Sequence, residues 1–157
     1  MTQKKEIPPA LRKRQAWSEM LRPTRRLAKD FDVRLCADNR QQMLVEYDMG
    51  AHIQEMLADV DVYGTNAAEQ LAEWLYMDVG KLYEARNVAV RFGRDAVGKQ
   101  AEIPCEGGLL LQFGHFVQLA RLPTLEMAVK VCAQIRVEDL TVRDTAKLVD
   151  SILGNSV

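Results

Sequence analysis

The chain is poor in the residues that usually announce chemistry. Its 157 residues include only three cysteines, Cys36, Cys105 and Cys132, and two histidines, His52 and His115. The cysteines lie far apart, form no C-x-x-C pair and have no histidine at ligand spacing. That excludes a zinc finger and a disulfide framework, and they read as buried reduced thiols. "GGLLLQFG" lacks the lysine and serine of a phosphate-cradling loop, and G-x-G-x-x-G is absent. No serine occupies a nucleophile-elbow sequence. No run of about 18 apolar residues is present, so no membrane helix is expected. The start, "MTQKKEIPPALRKRQ", has no apolar stretch of the kind a secretory signal needs. Strand-like alternation of useful length is missing as well. The expectation is a cytoplasmic, all-α, non-enzymatic protein with no cofactor, no metal site and no membrane contact.

What the chain does have is charge sorted by segment. Net charge is −1, yet residues 1–30 hold Lys4, Lys5, Arg12, Lys13, Arg14, Arg22, Arg25, Arg26 and Lys29 against Glu6, Glu19 and Asp30. Residues 41–80 contain no Lys or Arg, only the acids Glu46, Asp48, Glu55, Asp59, Asp61, Glu69, Glu73 and Asp78. The sign reverses again at Lys81. Such polarity suits a protein that meets a polyanion with its basic part, although solvated helix faces produce the same pattern.

The prolines of "IPPA" and "RPT" interrupt the basic segment, which predicts a mobile arm over residues 1–28, with a short helix over Ala10–Leu21 as an option, and an all-α domain over 29–157. Met43, Leu44, Tyr47, Ala51 and Met56 recur at helical spacing and predict a long helix from Asn39 to about Ala58, with a start several residues earlier left open. Asn66 or Thr65 is expected to cap a short helix over Ala67–Leu75. Asp78 is expected to cap a second over residues 79–92, with Gly93 closing it as a left-handed cap. "RDAVGKQAEIPCEGG" reads as a loop from its Gly and Pro content. Leu109–Leu122 reads as a buried helix, Thr124 as the cap of a helix through Ile135, and Thr141 as the cap of the last one.

The two helices over 67–92 have the layout of a helix-turn-helix. At 100° per residue, Leu82, Ala85, Val88, Ala89 and Phe92 share one apolar arc, while Tyr83, Asn87, Arg91 and Arg94 share the opposite side. Asn pairs with an adenine edge, Arg with guanine or phosphate, and Tyr with phosphate or a thymine methyl. These four are therefore the expected base readers on double-stranded DNA. Lys81 and Arg86 are the expected flanking phosphate contacts, and Arg12, Lys13, Arg14, Arg25 and Arg26 would add affinity from the arm. The turn is atypical, with Tyr76 where such motifs often have Gly.

"VEYDMGAHI", "YGTNAAEQLAEWL", "LYEARNVAVRF", "FGHF" and "LTVRDTAKL", in that order, resemble the amino-terminal helical domain of the YhcG-like nuclease-associated family. The matching positions are Tyr47, Gly50, Ile53, Tyr63, Gly64, Asn87, His115, Phe116, Thr141 and Arg143. Two departures are "QFGH" for a Ser-Trp-Ser-His-like element and Leu140 for a tryptophan. That family continues into a nuclease-like domain beyond the matched region, so no nuclease activity is carried over. "LAEWL", "GHFVQLARL" and "LTVRDTAKL" are also similar to the helix-turn-helix core of ParB-type partition proteins. Both resemblances imply an α-helical domain associated with DNA. The alternatives left open are a helical interaction module, acting on another protein or as a homodimer, and an accessory subunit of a separate nuclease.

Overall fold

In the computed structural model, residues 9–154 are described, without the side chains of Pro9, Ala10 and Lys13. The described residues form nine helices and no strand, so the protein is all-α. The helices are α1 (Pro9–Glu19), α2 (Arg22–Ala58), α3 (Val60–Tyr63), α4 (Ala67–Trp74), α5 (Val79–Arg91), α6 (Arg94–Glu102), α7 (Phe113–Leu119), α8 (Leu125–Glu138) and α9 (Val142–Ile152). Among the described residues no helix is long and apolar enough to cross a membrane.

The largest departure from expectation is α2. It starts at Arg22 rather than near Asn39, so residue 28 lies inside a helix and the expected arm boundary does not exist there. Pro23 occupies the first turn of α2, where a backbone N–H has no intrahelical acceptor to lose and a fixed φ favours helix. The same logic holds for Pro9, the first residue of α1. Both prolines start helices instead of breaking them. At 1.5 Å per residue, α2 is roughly 55 Å long.

The remaining elements pack around the second half of α2, chiefly through α5 and α6. The main core joins Met43 and Tyr47 of α2 to Val88, Val97, Leu111, Phe116, Leu119, Leu122, Ile135 and Val149. A smaller core joins Ile53 to Ala68, Ala72 and Leu82, and small Ala72 lets α4 lie close to α5. Gly50 is where α2 and α5 cross. A Cβ built there would overlap the carbonyl of Ala85, so the contact is backbone against side-chain-free backbone.

Three further expectations are corrected. Residues 94–102 are helix α6, not loop: Gly98 is tolerated because a Cβ there would crowd Arg40, 3.2 Å away, and its absence lets α6 settle against α2. Gly93 is not left-handed (φ −72°); it starts α6 directly after an extended Phe92. Residues 109–112 are not helical, and helix begins only at Phe113. Asn39 explains the last point in part, since its Nδ2 donates to the carbonyls of Ala101 (2.8 Å) in α6 and Leu111 (2.9 Å), taking up a carbonyl of the non-helical segment. Thr124 caps α8 by accepting from Met127 N–H (3.2 Å), and Thr141 caps α9 by accepting from Asp144 N–H (3.1 Å), as their sequence positions indicated. Of the thiols, Cys105 is buried while Cys36 and Cys132 are half-buried, and all three are free.

Gly50→Ala should destabilise the fold by about 3 kcal/mol or more, because the added methyl has only backbone to displace. Thermal denaturation should show a melting temperature lower by roughly 10 °C. An unchanged melting temperature would contradict the crossing described here.

Candidate nucleic-acid interface

The helix pair α4–α5 is joined by Leu75–Asp78. Asp78 caps α5 as its sequence position indicated, its carboxylate accepting from Gly80 N–H at 3.1 Å. Tyr76 adopts φ +54° with its side chain in water. This is the left-handed conformation that glycine adopts without penalty, which accounts for the atypical residue being noticeable at this position.

The apolar arc of α5 is as expected: Leu82, Ala85 and Val88 are buried, and Ala89 and Phe92 pack against the main core. The polar arc is not. Asn87 and Arg94 are the exposed members of the four expected readers; Asn87 sits in a shallow depression with Gln54, Arg86, Val90, Arg91 and Ala120. Tyr83 is half-buried, its hydroxyl 3.4 Å from Glu69 Oε1 on α4. Arg91 is also half-buried and its guanidinium donates to the carbonyl of Leu122, tying α5 to the connection before α8. Arg94 is not on α5 at all. As the first residue of α6 it donates to Asp48 of α2 through two bonds of 2.9 and 3.1 Å, and the pairing holds the Asp48 carboxyl below its ordinary pKa.

The physical reason is that a helical wheel assumes a straight helix, and α5 stops at Arg91. Phe92 turns into the core, edge-on to Phe116 with ring centroids 5.9 Å apart. The Tyr47 hydroxyl donates to the Phe92 carbonyl at 2.6 Å and lies 3.3 Å from that of Ala89, satisfying the open end of α5. Arg94, beyond that stop, leaves the α5 face and pairs with Asp48 of α2 at the surface.

Among the expected phosphate contacts, Lys81 is exposed beside Glu46, whose carboxyl is raised by burial and lowered by Lys81. They share a cleft of about 500 Å³ with Glu84, Gln42 and Phe113. Arg86 is half-buried over the Tyr83 ring (5.8 Å), with its Nε buried and unpartnered among the described residues. Arg12, Arg14 and Arg26 are exposed, and exposed Arg22 and Lys29 lie near them in sequence. Arg25 is turned onto α1, donating to the carbonyls of Trp17 (3.0 Å) and Ser18 (3.2 Å). The side chain of Lys13 lies outside the described residues, as do Lys4 and Lys5.

His115 is buried and fully engaged. Nδ1 accepts from Gln112 N–H at 2.9 Å, so Nε2 carries the proton and donates to the Leu140 carbonyl at 2.8 Å. Burial lowers its pKa, with the Leu140 carbonyl opposing. Its place is structural: it joins the start of α7 to the start of α9. Among the described residues no group of His, Cys, Asp or Glu side chains could hold a metal ion. Sequence reasoning missed the roles of Tyr47, Asn39 and Arg136. Arg136 bonds Gln100 Oε1 and the Ile103 carbonyl, clamping α8 to the end of α6. Only their positions among helical apolar residues could have flagged them.

No protein-family model, curated protein or solved structure matches the chain.

Tyr76→Gly should raise stability by up to about 1 kcal/mol by removing the left-handed penalty, readable as a small rise in melting temperature. His115 supplies a pH test. Its folded pKa is below the ordinary 6.5, so the unfolded chain binds the proton more readily. Stability is therefore intact above about pH 6.5 and lost as pH falls through that range. His115→Gln should melt lower at neutral pH but with a shallower decline from about pH 7 to 5. Equal declines in the two proteins would remove His115 from that role.

Proposed function

We propose that the protein is a cytoplasmic, non-catalytic DNA-binding protein whose affinity comes from the basic end formed by α1 and the start of α2. The observation that carries this reading is a run of cations on two consecutive helices. Residues 9–29 hold Arg12, Lys13, Arg14, Arg22, Arg25, Arg26 and Lys29 against Glu19 alone. Arg12, Arg14, Arg22, Arg26 and Lys29 are exposed, and none of them is in an ion pair among the described residues. Phosphates release counterions from such a surface without sequence preference. On α5 the reading keeps the helix-turn-helix layout but reduces the base-facing set to Asn87, with Tyr83 beside it. Arg91 and Arg94 leave that set because both serve the fold.

A second reading, a protein-docking module, is favoured by the opposite end of the molecule. Trp74 and Tyr76 are 81% and 99% exposed, among the acids Glu69, Glu73 and Asp78. Large apolar side chains left in water beside like charges suit a basic protein partner better than DNA.

Fluorescence anisotropy with random duplex DNA at about 50 and about 200 mM salt separates the two, since phosphate-driven binding weakens steeply over that range. Replacing Arg12, Arg14, Arg22 and Arg26 together by Ala should flatten the slope of log affinity against log salt by up to about 3.6. Arg91→Ala should lower the melting temperature and leave the affinity of the folded protein unchanged. Absence of binding at both salts would reject the DNA reading in favour of the docking module.

A further inference from the structure

The first half of α2 stands clear of both cores: its first buried residue is Met43. Along its open side run Leu27, Phe31, Arg34, Asp38, Gln41 and Val45, separated alternately by four and three residues, which is the spacing of a coiled-coil seam. All six are exposed. Leu27, Phe31 and Val45 are 57%, 55% and 55% accessible, high for side chains of this kind on a helix. At 100° per residue the seam centres far around the helix from Met43, Tyr47 and Gly50, which face the cores. Helix α1 does not cover it, since Trp17 and Met20 lie against Ala28 and Asp32 on another side. The α2 residues Ala37, Arg40 and Leu44, which border Arg94 and Glu102 of α6, lie off the seam; Gln41 and Val45 reach the edge of that same hollow and stay exposed.

We propose that the protein is a homodimer in which two α2 helices pair antiparallel along this seam. The charge order commits the occupant to a second copy in that direction. With the two-fold axis at Cys36, Leu27 meets Val45 of the partner subunit and Phe31 meets Gln41 of the partner subunit. Arg34 then meets Asp38 of the partner subunit, and the symmetry repeats each contact. Parallel pairing in register would set Arg34 on arginine and Asp38 on aspartate, with the cations at 22–29 facing one another. Arg34 also lies 5.8 Å from the Phe31 ring, so its charge is already held at the seam. Two apolar pairs at the ends and two ion pairs at the centre define one register, the role polar seam residues serve in paired helices. Cys36 points away from the seam on the wheel, so no disulfide is implied. This inference does not rest on the DNA reading and is tested without nucleic acid.

The test is the solution mass across a concentration series, by light scattering and sedimentation equilibrium, with helicity followed by circular dichroism. The wild-type chain should approach twice its 17.8 kDa mass. Phe31→Glu should be monomeric with unchanged helicity. Arg34→Asp and Asp38→Arg should each weaken association by at least about tenfold by opposing like charges. The double exchange Arg34→Asp with Asp38→Arg should restore it, a rescue that a merely misfolded variant would not show. A monomeric wild type throughout, a dimeric Phe31→Glu, or a double exchange no tighter than the single variants would each overturn the proposal.

Discussion

The close crossing of α2 and α5 at Gly50 is the constraint on which the other packing depends. Because no side chain separates the two backbones, Tyr47, one turn before the crossing, reaches past α5 and binds the carbonyl that ends it. Ile53, one turn after it, fills the space beneath α4. One helix thereby sets the depth, length and exit direction of the next. The stop at Arg91 then commits Phe92 to the core, where it meets Phe116 of α7, and sends the chain straight into α6.

That constraint also explains which features were legible in the sequence. Local signals were read correctly for Asp78, Thr124 and Thr141 as caps, the buried arc Leu82–Ala85–Val88, and the all-α class; Asn66 takes the N-cap position of α4, but its side chain makes no cap bond. Signals that depend on a distant partner were misread. Gly98 looked like a loop residue because nothing in "RDAVGKQAE" announces that Arg40 and Leu44 need the space its missing Cβ leaves. Pro23 looked like an interruption because its tolerance depends on being in the first turn of a helix, a placement that only the whole of α2 reveals.

The partners of the candidate interface residues were equally hidden in the sequence. Arg91 and Arg94 have the composition of a reading helix, and periodicity cannot distinguish an arginine that faces water from one that faces a carbonyl. What decides is the neighbouring chain: the Leu122 carbonyl and the Asp48 carboxylate each take up donors that DNA would need. Asn87 has no such neighbour. In the basic end, the option of a short helix over Ala10–Leu21 matches α1, whereas the start of α2 at Arg22 was not legible, because a helix and an unstructured arm can carry identical charge.

The continuity of α2 makes it a ruler. Arg26 near its start and Gly50 beneath α5 are joined by one unbroken helical span of roughly 36 Å. The basic end and the face of α5 are therefore separated by a fixed length that no loop can adjust. A turn of duplex DNA measures about 34–36 Å. Any elongated ligand engaging both ends must present its matching groups at that spacing, and a residue inserted or removed between them would rotate one end about the other by roughly 100°.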